Sequence, residues 1–543
     1  MTTVRGSRLV ASGAIAALAL TTGATGALAG TRTAAGARST GGTAAPAATP
    51  GTAGIGDRLF PELGNGGYDA TAYDLTLRYP AKDPQQTVTG DVTMRARATQ
   101  DLSRFDLDFS GLSVGSVQVN GRAASFARVR EELVVTPARV IRKGSPFTVT
   151  VRRFSARPVK PDPKANDIQP FVYTSDGTVV AGQPDGTHAL IPCNDHPRDT
   201  ASWRIRLDVP AGWTAVANGV QVAHRAAKGR SVSTFLQRQP MASELFQAAV
   251  GDFRVVRRPA VNGVPLRDVV PRRLASSLAP RLAVERSQIP WMERRVGRYP
   301  FAVYGSLVVD AQLGFALETQ TLSLYDTLFF GKKTPVGVTD PVMLHELAHQ
   351  WFGDSVAPRS WSDVWQNEGH ATWYELTYAA ENGWLPDDAG ATDLETLFKD
   401  VYRLGDQWRD RWGPVARPTS ATTVWDLFNP NVYYGGALAL YALKQKIGGA
   451  AFAELERRWV TQYRGRSAST DDFIALATRV AHRDLRTFLI AWLYGTRTPP
   501  MPGHPDWTVA PVPAAARVSA AARAALATTP DTERFVRLVR RSR

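Results

Sequence analysis

His345-Glu346-Leu347-Ala348-His349 constrains this chain more than any other stretch. The two histidines stand one helical turn apart, so on a helix both imidazoles reach one divalent ion while Glu346 lies beside a water that the ion activates. Asp340-Pro341 upstream and Gly353 downstream predict that helix, as N-cap carboxylate, first-turn proline and terminal glycine. Two histidines alone do not make a catalytic centre. A third ligand is expected from a second, antiparallel helix over 364–380, where Trp365-Gln366-Asn367-Glu368-Gly369 places Glu368 in the first turns. His345, His349 and Glu368 leave one tetrahedral position open, which suits one catalytic zinc per chain. A structural zinc more often takes four ligands including cysteines, and Cys193 is the only cysteine.

That single cysteine also excludes an internal disulfide framework, so packing or a metal must hold the chain together. With 543 residues, 44% of them hydrophobic, the chain can bury sizeable cores in two or three domains. The net charge of +15 comes mostly from scattered arginines. No basic stripe with interleaved aromatics marks a nucleic-acid surface, and no nucleic-acid partner is expected.

The chain opens with Arg5 and Arg8, an apolar run from Leu9 to Leu20, and Ala27-Leu28-Ala29. This predicts a signal peptide over 1–29 and secretion by the general route, without a lipid anchor or stable membrane insertion. Residues 30–56 are Thr, Ala, Gly and Pro with almost no large apolar side chain, which predicts a flexible linker. A tail over 501–543 ends in the arginine-rich Arg534–Arg543, with the spacing of a short amphipathic helix.

Between these ends the patterning changes once. Runs such as Tyr73-Asp74-Leu75-Thr76-Leu77-Arg78-Tyr79 and Phe147-Thr148-Val149-Thr150-Val151, with an Asn120-Gly121 turn, predict an antiparallel sheet domain over 57–255. Stretches at 272–297, 364–383, 437–447 and 471–494 have helical spacing, with Ser469 and Asp472 as a capping box. They predict a second domain over 256–500, with a short strand near 303–310. The fold class is α+β multidomain, strands first and helices after.

His345 to Asp354, read together with Asn367-Glu368-Gly369, resembles the aminopeptidase N family of gluzincin zinc peptidases, which also includes leukotriene hydrolase. The likeness runs from about Tyr68 to Pro499 and takes in Pro192-Cys193-Asn194-Asp195 and Met241-Ala242-Ser243. It implies an N-terminal saddle-like sheet domain followed by a thermolysin-like, mainly helical catalytic domain. By the same resemblance Tyr433 is the oxyanion donor, with Tyr434 competing because Gly435 stands where the family has a basic residue. Gly314-Phe315-Ala316-Leu317-Glu318-Thr319 occupies the place of the family's substrate strand, so Glu318 and Ala316 are implied to bind substrate, Glu318 at its free amino terminus. Phe315, Leu317 and Thr319 depart from that motif, which alters the first side-chain pocket. Gln183 is implied to assist the amine site.

The resulting expectation is a secreted zinc aminopeptidase acting on peptides with a free N-terminus. Glu346 takes the proton of water and passes it to the leaving amine. Asp354, Asp363 and Asn367 are candidates for orienting the histidines. Alternatives are a zinc hydrolase of other specificity, such as an endopeptidase or epoxide hydrolase, and a non-enzymatic binding protein on a peptidase scaffold. Gly111-Leu112-Ser113-Val114-Gly115 spells a nucleophile elbow but precedes a strand and hairpin rather than a helix, so a serine hydrolase is excluded. His370 reads as a local hydrogen-bonding residue and Cys193 as a small structural one.

Overall fold

The computed structural model describes residues 47–162, 168–332, 334–385 and 393–511. The signal-peptide pattern, most of the linker and the arginine-rich tail lie outside the described residues. Among those described, no helix is long and apolar enough to cross a membrane.

Tyr68–Arg78 and Val88–Ala98 bury alternate residues, the period of strands with one face on a core. They pair antiparallel near the middle of an eleven-stranded sheet. Two pairings depart from the antiparallel expectation: Ala201–Pro210 runs parallel to Tyr68–Arg78, and Thr49–Pro50 parallel to Leu102–Asp108. Asn120 and Gly121 take φ of 50° and 73°, as the predicted two-residue hairpin turn requires. A four-stranded sheet of Phe171–Tyr173, Gly177–Val180, Thr214–Ala217 and Ala248–Gly251 shares the apolar core of the large one.

Phe253–Val261 and Val264–Pro271 begin a third sheet, continued by Ser306–Val309, Ser323–Asp326 and Ala316–Leu317. The boundary drawn at 255/256 therefore falls inside a strand. A mainly helical layer follows and buries a separate core rich in tryptophan.

Several helices differ from the sequence reading for identifiable reasons. The His345 helix spans Val336–His349, with Pro335 as N-cap and Pro341 inside it. Proline in the second turn removes only one N–H from the ladder, and Gln288 Nε2 donates to the neighbouring Asp340 carbonyl at 2.7 Å. The stretch 272–297 breaks into short turns ahead of Glu285–Val296, since Pro280 has no N–H with which to continue the hydrogen-bond ladder of Ala275–Leu278. Residues 471–494 form two helices, Thr470–Ala481 and Arg486–Tyr494, parted at His482 with φ of 51°. Pro430–Ile447 begins seven residues before the predicted 437, capped by Asn429 with Pro430 in the first turn. The low helix propensity of Gly435-Gly436 had hidden that start.

The ends of the described chain are also anchored where the sequence suggested freedom. Within the expected linker, Gly51 N donates to Arg104 O at 2.8 Å and Gly66 N to Thr52 O at 2.9 Å. These bonds are backbone to backbone, so side-chain composition carries no sign of them. Beyond residue 500, Met501 and Trp507 are buried, and Trp507 stacks on Tyr441 with ring centroids 6.1 Å apart.

Candidate active site

The helices Val336–His349 and Trp365–Glu381 pack together and bring three ligand atoms to one point. His345 Nε2 lies 3.3 Å and His349 Nε2 3.4 Å from Glu368 Oε2, and all three side chains are buried. The outer ring nitrogens are already engaged. His345 Nδ1 is 2.8 Å from Glu375 Oε2, and His349 Nδ1 is 3.1 Å from the Phe352 carbonyl. Both Nδ1 atoms therefore donate outward, and both Nε2 atoms face Glu368. Two imidazole nitrogens and a carboxylate oxygen converging in a buried cluster form the donor set of a catalytic zinc, and the residues fit that ion.

Electrostatics support the same reading. Although burial opposes ionisation, the imidazoles of His349 and His345 hold Glu368 down to about 2. Against burial, Glu318 and Glu368 push His349 up to about 9. The pocket thus concentrates negative charge where a cation would sit. Burial raises Glu346 to about 8, the neighbouring histidines pulling the other way.

Glu375, which the sequence reading missed, replaces the expected orienting groups. Asp363 caps the turn Trp361–Asp363 and accepts from Thr470. Asp354 is buried with neither carboxylate oxygen hydrogen-bonded, and burial pushes its pKa well above the usual range. Asn367 lies against Gly353, where an added Cβ would come within 3.2 Å of its amide nitrogen. None of the three side chains is hydrogen-bonded to the ring of His345 or His349, although Asp354 N donates to the His349 carbonyl at 3.0 Å. Glu375 lies seven residues after Glu368, two turns along the same helical face, and that spacing was the available signal.

Tyr433 lines the cavity, its ring stacked on His345 at 5.9 Å with 13° between planes. Burial and the carboxylates of Glu368 and Glu318 keep its hydroxyl protonated well above the usual range. Tyr434 points elsewhere, with its ring centroid 6.4 Å from that of Trp408. This arrangement depends on a close helix crossing. A Cβ on Gly436 would come within 2.9 Å of Gly369 Cα, so only paired glycines let the Pro430–Ile447 helix approach the Glu368 helix this closely. At Gly435 a Cβ would meet Asn431 Oδ1 at 2.2 Å.

Glu318 closes the other end of the cavity, whose walls include Ala316, Phe315 and Leu317. Ligand atoms of Glu318, Glu346 and His349 lie within 4.8 Å of one another. Gln183 Nε2 donates to Glu318 Oε1 at 2.7 Å and approaches Glu244 Oε2 at 3.3 Å. Glu244 was not foreseen, although its neighbours Met241-Ala242-Ser243 were. Burial and Glu318 push its pKa well above the usual range, and it lies on the far side of Gln183 from Glu318.

The rejected motifs stay outside this cavity. His370 Nδ1 donates to the Gln366 carbonyl at 2.6 Å and its ring stacks on Phe352. Ser113 Oγ pairs with Ser155 Oγ at 2.6 Å, and Cys193 is buried as a free thiol.

The description "Peptidase M1 N-terminal domain" matches residues 69–245, and "Peptidase family M1 domain" matches residues 286–492. A solved structure of M1 zinc metallopeptidase from Deinococcus radiodurans is similar over 83% of this chain and 99% of its own, at 30% identity and a TM-score of 0.72. The chain belongs to peptidase family M1. The M1 fold accounts for a sheet domain placed ahead of a helical domain, and the family's zinc matches the cluster of His345, His349 and Glu368. A mutant of the same Deinococcus enzyme bound to a Tyr-Ser-Ala substrate is similar at 31% identity and a TM-score of 0.69, covering 83% of this chain and all of that one. Among curated M1 relatives, aminopeptidase M1-A of Oryza sativa subsp. japonica is 24% identical over 58% of this chain and 36% of its own length. Leucyl aminopeptidase of Saccharolobus solfataricus is 28% identical over 74% of this chain and 50% of its own. This M1 chain spans about a third of the length of the first curated relatives it matches.

Proposed function

We propose that this chain is a zinc aminopeptidase that removes N-terminal residues from peptides. The carrying observation is the placement of Glu318, with Gln183 bonded to it, on the cavity wall within 4.8 Å of Glu346 and His349. A carboxylate at a set distance from the reacting centre binds a substrate ammonium and closes the cavity beyond it. Only a chain that begins there fits.

Bound zinc supplies Lewis acidity to the scissile carbonyl and to water. Glu346 takes the water's proton and returns it to the leaving amine. Tyr433, held protonated, donates its hydroxyl to the developing oxyanion. Glu375 and the Phe352 carbonyl keep the imidazoles turned inward. Gly314-Phe315-Ala316-Leu317 brings large side chains to the first pocket, which favours apolar N-terminal residues. The Deinococcus mutant binds a Tyr-Ser-Ala substrate, which begins with an aromatic residue.

The test compares a free-amine tripeptide with its N-acetylated form, before and after chelation and zinc restoration. Cleavage of the free form alone, abolished by chelator and regained with zinc, is expected. Equal cleavage of the acetylated peptide would indicate an internal endopeptidase. Inert zinc-loaded protein would favour the binding scaffold.

We further propose export. Arg5, Arg8, the apolar run and Ala27-Leu28-Ala29 support it, and a protein recovered outside the cell should begin at Gly30. Intact Met1 on the recovered protein would reject this reading.

A further inference from the structure

Arg267, on the strand Val264–Pro271, is 8% exposed. Its Nη2 donates to the Ala217 carbonyl at 2.6 Å, its guanidinium lies 5.6 Å from the centre of the Phe235 ring, and its Nε makes no hydrogen bond. A buried cation normally has a carboxylate partner, because desolvating an unpaired charge is costly. The groups that act electrostatically on Arg267 are instead Tyr299 and a second guanidinium, Arg257. Burial lowers its pKa to about 10, which leaves it cationic at neutral pH.

Both arginines line a cavity of about 560 Å³ between the edge of the large sheet and the start of the third. This cavity shares no lining residue with the zinc cavity. Among the described residues, the titratable groups on its wall are Arg257, Arg267 and His224, and no carboxylate lines it. Ser231, Ser233 and Gln221 add neutral hydrogen-bonding groups, while Trp213, Val255 and Pro265 supply apolar surface. Gln221 Oε1 accepts from Arg257 Nη2 at 3.3 Å, and His224 Nδ1 lies 3.1 Å from Ser233 Oγ.

We propose that this cavity is a binding site for a small organic anion, its carboxylate or phosphate group held by Arg267 and Arg257 and its apolar part resting on Trp213, Val255 and Pro265. A planar guanidinium without a carboxylate partner on a cavity wall is suited to an oxyanion, and the ligand then supplies the missing counter-charge. The surrounding polar groups complete a site of ordinary size for a small molecule.

Calorimetry on the zinc-loaded full chain tests this with phenylacetate, phenyl phosphate and neutral 2-phenylethanol. At least one anion should bind saturably with a Kd of about 1 mM or tighter, weakening as salt rises, while the alcohol should not. The tighter anion tells carboxylate from phosphate. Arg267→Met should abolish binding, and Arg257→Gln should weaken it about tenfold. Should Arg267→Met not fold, Val220→Trp serves: Val220 lines the same cavity and is 38% exposed, so the larger ring takes up ligand space while both arginines are kept. Absence of saturable anion binding, equal binding of the alcohol, or binding that survives both Arg267→Met and Val220→Trp would overturn the proposal. Binding that survives Val220→Trp and disappears on chelation belongs to the zinc cavity and would overturn it too.

Discussion

Glu375 holds His345 from outside, its Oε2 lying 2.8 Å from Nδ1, two turns along the helix from Glu368, the residue that meets the same histidine from inside. One helix therefore supplies both a ligand and the group that orients a ligand on its neighbour. Glu375→Ala is expected to lower zinc affinity about 10- to 100-fold while leaving the fold intact. Competition with a fluorescent chelator reads this directly, and an unchanged zinc affinity would show that the Phe352 carbonyl and packing suffice.

Glu346→Gln should retain zinc and lose roughly 10²- to 10⁴-fold in kcat, since the amide cannot take a proton. Burial lifts the Glu346 carboxyl to about 8 in the absence of a cation, and a bound divalent ion pulls it down. A base works only when ionised. Activity should therefore fall as pH drops through the Glu346 pKa, and that acidic limb should lie below pH 8. A kcat/KM profile that rises on acidification would contradict the assignment.

Gly436 and Tyr433 are linked by the helix crossing. Tyr433→Phe should lower kcat about 10²- to 10³-fold with little change in stability, whereas Tyr434→Phe should be nearly silent. Gly436→Ala pushes a Cβ to 2.9 Å from Gly369 Cα and should cost about 1–3 kcal/mol. Because that shift moves the helix carrying Tyr433, its kcat should fall as well. Thermal denaturation and steady-state kinetics on the three variants separate these effects.

Asp57 ties the N-terminal segment to the helical layer. Its Oδ2 accepts from Trp361 N at 2.7 Å and from His196 Nε2 at 3.1 Å, and its Oδ1 accepts from Leu59 N at 2.7 Å. His196 Nδ1 accepts from Arg198 N, so this imidazole is neutral. Burial lowers the His196 pKa. For Asp57, burial is outweighed by its hydrogen bonds to His196, Trp361 and Leu59, and the result is again a lowered pKa. Both groups bind protons less readily folded than unfolded. Their contribution is complete above about pH 6.5, the ordinary histidine value, and drains away as pH falls, first through His196 and then through Asp57 below its ordinary value near 4. Asp57→Ala should cost about 1–3 kcal/mol at pH 7 and remove the part of the acid destabilisation that sets in below about pH 4. Urea melts of both proteins from pH 7 down to about 2.5 measure the difference, and parallel curves below about pH 4 would count against this role.

Much of this protein can be read from local pattern. The spacing of His345 and His349, the Asn367-Glu368-Gly369 turn and the change from period-two strands to helical stretches each lie within one element, where backbone geometry alone decides which side chains share a face. Those features determined the ligand set and the order of sheet and helix. Helix starts at Val336 and Pro430 were obscured, because an interior proline and a glycine pair contradict propensity and are tolerated only by tertiary contacts.

The placement of Tyr433 against His345 and of Tyr434 against Trp408, the partnership of Glu375 with His345, the placement of Glu244 beside Gln183 and the guanidinium of Arg267 without a carboxylate partner were decided only by tertiary structure. Each depends on how two elements distant in sequence pack, which periodicity along one strand or helix does not encode. A buried charge has no meaning until its neighbours are in place, since the same arginine is an ordinary surface residue in a strand pattern and an anion-seeking group inside a cavity without carboxylates.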